Sequence, residues 1–493
     1  MIPAIDVHIM CSVKRSLIVF FLILPGITQT GCKKLVTVGS PNTEITSDNI
    51  YTNDATAASV LTGIYALLNT NSPLSGTSLN SLSLVAGLSA DEFTLYGGSA
   101  NANTSLVQYY ENRLLSGSSA ISTQSIWSDC YSKLYTVNIA LERLALSNGL
   151  TPAVKKQLTG EAEFLRAFFY FYLVNLYGNV PLLTSSNYTF NSVAPRSPAA
   201  QVYRQIISDL KDAQNLLVDG YVASDALTPT AEKLRPNKWV ATALLARTYL
   251  YTGAYDSAAL QASAVINNAN YTLSSRNGVF LKNSSEALWQ WQPVNTGWNT
   301  EDARIFLLPP GGPTNSFVTP YPVYLSPQLL GSFEAGDGRR RDWVDSVIVN
   351  GIVYYYPYKY KSATLNAPVT EYLMIFRLAE QYLIRAEARV RVNSDFAGAR
   401  ADLDTIRSRA GLSPVTANDS SSLLATVRHE RQVELFTEWG NRWLDLKRTG
   451  TVDGVMDTVA VSKGSTWSAY WQWYPVPLYD ITQNPQLVQN AGY

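Results

Sequence analysis

Cys32 is the residue whose surroundings point most directly to a chemical modification. It follows Gly31 and a short apolar run, residues 16–27, which begins directly after Lys14 and Arg15. A basic start, about a dozen apolar residues and small residues before a cleavage point are typical of an export signal. With cysteine as the first residue after the cut, the pattern predicts that Cys32 is acylated and anchors the mature chain to a membrane.

Some details of this signal bear on that prediction. Gln29 occupies the position where such signals usually have leucine, although the residues after it fit. The apolar run is well below the roughly 20 residues that a membrane-spanning helix needs, which disfavours a transmembrane anchor. Met10 is an alternative start to Met1, because the residues before it include the charged Asp6.

The composition excludes nucleic acid as a partner and points to recognition by aromatic side chains. Removing residues 1–31 takes Lys14, Arg15 and Asp6 from 38 basic and 38 acidic residues, so the mature chain stays close to neutral. A neutral chain has no overall attraction for a polyanion. The sequence contains 30 Tyr and 11 Trp. Many of these will fill a core, but exposed Tyr and Trp offer rigid apolar faces with polar edges, which suit sugar rings or peptides.

The cysteine and histidine content excludes several kinds of catalytic and metal site. With Cys11 removed in the signal and Cys32 acylated, Cys130 is the only remaining thiol, so no intrachain disulfide can form. It lies in an apolar helical pattern, and we expect a core residue. With His8 also removed, His429 is the only histidine left, which excludes a His-rich zinc site. No phosphate-binding loop or GxGxxG motif is present, and no cofactor is expected.

Two groups of acidic residues are candidates for hydrolysis. Asp91 and Glu92 are adjacent acids, and glycosidases use carboxylates in pairs. Arg442, Trp443 and Asp445 form the second group, with Asp445 as a candidate acid. A structural role is the favoured interpretation of both groups.

The charged residues near the C-terminus are expected to form ion pairs within the core. Glu430 and Glu434 lie close in sequence to Arg442 and Arg448 and are their predicted partners. Pairs of this kind would hold the fold together and leave no acid free for catalysis.

Hydrophobic periodicity predicts a mostly α-helical fold. Apolar residues recurring at three- and four-residue spacing are typical of helices. The predicted helices begin at residue 54 and include residues 121–146, 152–177, 199–217, a hairpin over 237–268, and a second hairpin over 372–391 and 396–410. Small and aromatic residues around a turn at Gly253 resemble a tetratricopeptide repeat. The prediction is a tetratricopeptide-like repeat scaffold, with an ordinary helical bundle as the alternative.

The predicted domain organisation follows from these segments. Residues 1–31 form the signal peptide, residues 32–52 a lipid-anchored tether, and residues 53–493 a single domain. Within that domain the helical scaffold covers about residues 54–269 and 371–448.

The region between the two parts of the scaffold has a different character. Residues 270–370 are rich in Pro, Gly, Asn and aromatic residues, and they contain strand-like pieces at 287–292 and 347–358. Irregular segments held by a rigid scaffold frequently carry binding residues. We therefore expect the ligand-binding surface in this loop-rich insertion.

Several segments, taken in order, resemble the motifs of one protein family. The longest, residues 160–182, reads GEAEFLRAFFYFYLVNLYGNVPL. The others are residues 88–93, 377–388, 406–412, 430–435, 442–448, 474–477 and 484–493. Together they resemble the SusD/RagB family, the surface lipoproteins of Bacteroidetes, over essentially the whole mature chain.

This resemblance implies a non-catalytic binding protein of the outer membrane. Members of the family sit on the outer leaflet, cap a SusC-like TonB-dependent transporter barrel and close over a captured glycan or peptide. Lys33 and Lys34 depart from the acidic tails often linked to surface export, which bears on the outward orientation and not on the anchoring.

The resemblance also implies where the ligand binds. Family members present stacking aromatics on irregular loops, and the loops that match by order are residues 93–112 and 293–325. The predicted ligand-binding residues are Tyr96, Asn101, Asn103, Trp298, Arg304, Tyr321 and Tyr324. Trp298 is the leading candidate, since Asn295, Gly297 and Asn299 around it are loop-forming.

Three functions remain open from the sequence. The first is capture of an oligo- or polysaccharide for a TonB-dependent transporter. The second is a carboxylate glycosidase on a helical scaffold. The third is a repeat scaffold for protein contacts, or a peptide-capturing member of the same family.

Overall fold

The computed structural model describes residues 49–70, 72–74, 79, 81–118, 125–316, 320–392 and 395–493. The predicted signal peptide, Cys32 and most of the predicted tether lie outside these residues.

Helices form most of the described chain, which confirms the predicted mostly α fold with a tetratricopeptide-like scaffold. In chain order they are α1 (Asp54–Thr70), α2 (Leu82–Ser89), α3 (Thr104–Tyr110), α4 (Ile126–Leu146), α5 (Pro152–Tyr177), α6 (Tyr188–Asn191), α7 (Ala199–Leu216), α8 (Lys238–Tyr251), α9 (Tyr255–Ile266), α10 (Glu301–Phe306), α11 (Pro327–Ser332), α12 (Gly338–Asp342), α13 (Leu378–Val392), α14 (Phe396–Ala410), α15 (Ser420–Glu434), α16 (Asn441–Arg448), α17 (Val452–Ser462) and α18 (Leu478–Gln483).

The strands of the described residues pair in antiparallel twos. They are β1 (Phe93–Leu95), β2 (Tyr221–Val222), β3 (Pro229–Thr230), β4 (Ala287–Trp291), β5 (Val323–Leu325), β6 (Val344–Val349), β7 (Ile352–Pro357) and β8 (Leu373–Arg377). Strand β1 pairs with β5, β2 with β3, β4 with β8, and β6 with β7.

Helix α5 is the centre of the scaffold. It begins at Pro152. Proline lacks a backbone N–H, but the first residue of a helix has no hydrogen-bond acceptor within the helix for that group, so no bond is lost. It ends before Gly178, which adopts a φ of +75°. Every side chain over residues 167–177 is buried, because α1, α4, α7 and α8 pack around the helix. A pair of hydrogen-bonded charges, Arg166 of α5 and Asp209 of α7 at 2.7 Å, joins two of these helices.

Both predicted helical hairpins are present. Asn237 caps α8, since its Oδ1 accepts hydrogen bonds from the backbone N–H groups of Trp239 at 3.0 Å and Val240 at 3.1 Å. Gly253, with a φ of +75°, allows the tight turn between α8 and α9. The second hairpin, α13 and α14, packs on the first through α9.

The start of the second hairpin differs from the prediction. We expected a helix from Tyr372, but the segment Leu373–Arg377 is strand β8 and the helix begins at Leu378. The strand forms because β4 offers it a partner, with Trp291 opposite Leu373. Such pairing is non-local and leaves no trace in the helical periodicity of the segment.

The described part of the insertion contains only short helices, as predicted, but its strands differ in detail. The strand expected over residues 347–358 is a hairpin, β6 and β7, turned by Asn350 and Gly351 at φ values of 52° and 80°. Two residues with positive φ are typical of a type I′ turn. On β4, Trp289 is fully buried and Trp291 is 2% exposed, so both belong to the core.

Candidate functional site

Three half-buried tyrosines, which we call the tyrosine cluster, meet where the two predicted loops come together. They are Tyr96, Tyr324 and Tyr354. The Tyr354 ring lies edge-on to both others, with centroids 5.9 Å from Tyr96 and 5.1 Å from Tyr324. Strands β1 and β5 set this arrangement, because Thr94 pairs with Tyr324 and the Tyr96 N–H donates to the Pro322 carbonyl at 2.8 Å.

Tyr354 is the member of this cluster that the sequence prediction missed. It was assigned to a strand, and it does lie on β7, opposite Val347. The hairpin packs beside β5 and so brings the Tyr354 ring between the two predicted tyrosines. Burial and the neighbouring Tyr96 raise the pKa of Tyr354. The hydroxyl therefore stays neutral near pH 7 and can both donate and accept hydrogen bonds.

Asn315 holds the two loops together. Its Oδ1 accepts a hydrogen bond from the Ala102 N–H at 2.5 Å, and its Nδ2 donates to the Ala100 carbonyl at 3.1 Å. The Thr314 N–H donates to the carbonyl of the half-buried Tyr321 at 2.7 Å. These bonds fix the loop around residues 97–103 against the loop after residue 312.

The two predicted asparagines shape the first loop. Asn101 is 5% exposed; its Nδ2 donates to the Tyr96 carbonyl at 2.6 Å and its Oδ1 accepts from the Asn103 N–H at 2.8 Å. Asn103 caps α3 by accepting from the Leu106 N–H at 3.3 Å. Both amides thus make local bonds that present Tyr96, and ligand contact by either asparagine stays a prediction.

Trp298 and Arg304 form a second contact surface on the other predicted loop. The Arg304 guanidinium carbon lies 4.6 Å from the ring centroid of half-buried Trp298, within cation–π range. Glu301 orients Arg304 through Nη1 contacts of 2.8 and 2.9 Å, and Asn295 donates to the same carboxylate at 2.6 Å. One face of the indole is therefore occupied by the arginine.

The loop under Trp298 is anchored to the next segment of the insertion. Gly297, with a φ of +81°, accepts a hydrogen bond at its carbonyl from the Asn366 N–H at 2.7 Å. Asn299 is buried, and its Oδ1 accepts from the N–H groups of Thr370 at 2.9 Å and Glu371 at 3.0 Å. Asn299 is thus a structural residue that fixes the position of Trp298.

Helix α10 connects the two surfaces. Its last residue, Phe306, stacks on Phe93 at the start of β1, with ring centroids 5.0 Å apart and planes inclined by 27°. Arg304 of the same helix contacts Trp298. The Trp298 surface and the tyrosine cluster are therefore built on one shared wall.

Asp91 and Glu92 are both buried against neighbouring segments of the fold. Asp91 is 4% exposed and makes a two-point ion pair with Arg442. Glu92 is 1% exposed, and its Oε1 accepts a hydrogen bond from the Thr437 N–H at 3.0 Å. Burial raises the pKa of Glu92 to about 8. Both side chains are buried and hydrogen-bonded within the fold, which supports the structural interpretation.

The predicted pairing of Glu430 and Glu434 with Arg442 and Arg448 is wrong. Arg448 instead contacts Glu387 and Asp445, each at 2.7 Å. The two glutamates belong to a buried ionic network. Glu430 pairs with Arg339 and Arg407. Glu434 pairs with Arg339, Arg377 and Arg409. Proximity in sequence does not decide the pairing, because the fold brings arginines of α12, α14 and β8 to these carboxylates and brings Asp91 to Arg442. Asp445 is paired with Arg431 and Arg448.

One group of potential metal ligands occurs among the described residues, and an arginine occupies it. Glu334, His429 and Glu430 place their ligand atoms within 4.8 Å of one another. Arg407 Nη1 lies 2.5 Å from Glu334 and 2.6 Å from Glu430. His429 Nε2 lies 2.7 Å from the Ser332 carbonyl. A guanidinium between the carboxylates supplies the positive charge that a metal would bring, so we assign an ion network.

Cys130 is a fully buried free thiol, as expected. Within the described ranges, no helix is both long and apolar enough to cross a bilayer.

Comparisons with known proteins agree with this architecture. A family model described as starch-binding and associating with the outer membrane matches residues 47–250, and the SusD family model matches residues 345–493. A SusD-like protein P2 of Formosa agariphila is 25% identical over 97% of this chain and all of its own length. The starch-binding protein SusD of Bacteroides thetaiotaomicron is 24% identical over 70% of this chain and 75% of its own.

A solved structure shows the same fold. Surface glycan-binding protein A of Bacteroides thetaiotaomicron, in complex with laminarihexaose, superimposes with a TM-score of 0.73 at 19% identity, covering 89% of this chain and 99% of that one. The fold and both family models place the chain in the class of SusD-like proteins. The chain belongs to the SusD/RagB family.

Proposed function

We propose that this protein binds a glycan at the cell surface without cleaving it and delivers it to a TonB-dependent transporter in the outer membrane. The tyrosine cluster is the observation that carries the proposal. Tyr96, Tyr324 and Tyr354 come from three strands or their ends and meet at half-buried positions. Their rings match the apolar C–H face of a sugar, and their hydroxyls match its polar edge.

The nearby Trp298 supports the same ligand class. Its ring is held by Arg304 on one side, and Arg304 keeps 29% of its side chain exposed. An indole beside a guanidinium combines stacking with hydrogen-bond donation to hydroxyls. Relatives support the proposal by name, since one is a starch-binding protein and one was solved with laminarihexaose.

The absence of cleavage is proposed from the acids themselves. Asp91 and Asp445 each pair with arginine, and Glu92 is 1% exposed with its Oε1 hydrogen-bonded to the Thr437 N–H. Anchoring through Cys32, outward orientation and the transporter partner are part of the proposal and rest on family membership and on the signal pattern.

Calorimetric titration with laminarihexaose, maltohexaose and a mixed peptide hydrolysate tests the proposal. We expect binding of a glycan, and Tyr354→Ala should weaken it at least tenfold, since loss of one stacking ring typically costs about 1–3 kcal/mol. Tyr135→Ala is the matched control, because Tyr135 is 49% exposed on α4 and should leave affinity unchanged. Binding of peptides alone would assign the peptide-capturing function instead.

Two further measurements test the other parts of the proposal. Chromatography of the incubated glycans should show no shorter products. Purification from outer membranes should bring a TonB-dependent transporter with the protein, identified by mass spectrometry. Products that disappear in an Asp91→Asn variant, or the absence of the transporter, would contradict the corresponding part.

A further inference from the structure

A cavity of about 310 Å³ lies away from the tyrosine cluster, between α1, the β2–β3 hairpin and the end of β4. Its walls include Tyr65 and Ala66 of α1, Val222 of β2, and Glu232, Arg235 and Trp291. This volume is at the lower end of the range of about 300–1,000 Å³ that ligand pockets occupy. The lining is mostly apolar, with a few polar groups, as in small-molecule sites.

The cavity has a closed floor and a mouth that solvent can reach. Trp291 and Arg235 line its buried side and are 2% and 4% exposed. Ser224 and Gln292 line the cavity and are exposed. A small molecule can therefore enter without displacing the core.

Two polar atoms of the lining are buried without a partner. Trp291 Nε1 and Glu232 Oε2 have no hydrogen-bond partner among the described residues, while the Tyr372 hydroxyl lies close enough to hydrogen-bond the same Glu232 carboxylate. More than about 90% of buried polar groups are hydrogen-bonded, and each that is not costs about 1–3 kcal/mol. One unsatisfied donor and one unsatisfied acceptor on the same cavity match a ligand that carries both functions.

The other polar groups of the wall are already fixed. The Tyr65 hydroxyl donates to Glu161 at 2.9 Å, and the Arg235 guanidinium lies 5.7 Å from the Tyr65 ring centroid. Arg235 also donates to Glu161 at 2.6 Å and to the Ser224 carbonyl at 3.0 Å. The Arg235 charge is thereby neutralised, and this wall offers a rigid aromatic surface and no unpaired cation. An anionic occupant is disfavoured, whereas a neutral polar one is accommodated.

We infer that this cavity is a second carbohydrate site, which takes one neutral sugar ring of a glycan. The ring packs against the aromatic wall of Tyr65 and Trp291. One hydroxyl donates to Glu232 Oε2, and another oxygen accepts from Trp291 Nε1. This inference rests on the proposed glycan-binding function and adds a site for a single unit, apart from the extended surface at the tyrosine cluster.

Methyl glycosides of glucose, galactose, mannose and xylose are the probes for this site. Binding to the purified full chain is measured by saturation-transfer NMR and by tryptophan fluorescence. We expect saturable binding of at least one probe. Ala66→Phe fills the cavity and Ser224→Trp blocks its mouth, so each should abolish binding. Glu232→Gln should weaken it about tenfold, through loss of one charge-assisted hydrogen bond.

Because Ser224 is exposed, Ser224→Trp should have the melting temperature of the wild type. The test therefore remains decisive even if Ala66→Phe fails to fold. If none of the four probes binds, or if binding survives Ser224→Trp, the cavity is a water-filled void and the inference is wrong. Tyr354→Ala separates the two sites. It should weaken laminarihexaose or maltohexaose binding and leave the methyl glycoside bound. Methyl glycoside binding without any oligosaccharide binding would contradict the proposed function and retain the cavity site.

Discussion

Arg442 and Asp91 form a two-point ion pair between residues that are 351 positions apart, with Nε to Oδ1 at 2.8 Å and Nη2 to Oδ2 at 2.7 Å. The pair joins α16 to the turn between α2 and β1. It explains why an acid next to a candidate glycan-binding strand is structural. Asp91 supports the strand that presents Tyr96 and has no oxygen left for a substrate proton.

Asp91→Asn should destabilise the fold by about 3 kcal/mol, because it leaves Arg442 charged and uncompensated in a mostly buried position. Asp219→Asn is the control. Asp219 is 71% exposed and lies 3.5 Å from Lys238, and loss of such a surface pair costs less than about 1 kcal/mol. Urea denaturation monitored by circular dichroism measures both. Equal effects of the two variants would contradict the structural role of Asp91.

Stability should also depend on pH through Glu92. Burial raises the folded-state pKa to about 8 from 4.5, so between these values the folded state holds a proton that the unfolded state has lost. The contribution of Glu92 to the free energy of unfolding is complete below pH 4.5 and is lost as the pH rises to about 8. The loss is at most about 1.4 kcal/mol per pH unit. Glu92→Gln should therefore gain stability over the wild type at pH 8 and much less at pH 5, in urea denaturation at both pH values. A constant difference would show that Glu92 does not titrate in this range.

The scaffold could be predicted from sequence because its signals are local. Helix α5 follows from its apolar pattern, Pro152 and Gly178, and the α8–α9 turn follows from Gly253. Strand β8 could not be predicted in this way, since its partner β4 lies more than 80 positions earlier and its residues also suit a helix.

The candidate site likewise has parts that depend on local sequence and parts that depend on non-local contacts. Order along the chain placed Tyr96 and Tyr324 on two loops that meet in the structure, whereas Tyr354 joins the cluster through the fold of the β6–β7 hairpin. Side chains alternate between the two faces of a strand, so the sequence could have suggested that Tyr354 and Tyr355 face opposite ways. It could not have shown which residues pack against either ring. Asn315 was missed because its role depends on a loop more than 200 positions away.

Membrane attachment should depend on Cys32. Cys32→Ala removes the thiol that the export signal predicts to be acylated, so full-length protein should move to the soluble fraction. Fractionation of cells with immunodetection measures this. Cys130→Ala is the control, because Cys130 is a buried core thiol and its loss should leave the protein in the membrane fraction. Unchanged membrane association of Cys32→Ala would refute the lipoprotein prediction.

Trp298 should contribute to ligand affinity and little to the fold. Trp298→Ala loses its contact with Arg304 but opens no core cavity. The free energy of unfolding should therefore fall by at most about 1 kcal/mol relative to the wild type. Affinity for the glycan should fall at least tenfold, since a stacking ring is typically worth about 1–3 kcal/mol.

Trp443→Ala is the control for this last variant. Trp443 is fully buried, and truncation of a core tryptophan costs about 3–5 kcal/mol. Thermal melting of both variants, with calorimetric titration of the retained glycan, distinguishes the two roles. Trp298→Ala should melt near the wild type and bind poorly, whereas Trp443→Ala should melt far lower. A large melting loss at Trp298, or unchanged binding there, would restrict the site to Tyr96, Tyr321 and Tyr324 with Tyr354. Asn315 fixes the loops beside Tyr96 and Tyr321, and the Tyr354 ring contacts those of Tyr96 and Tyr324.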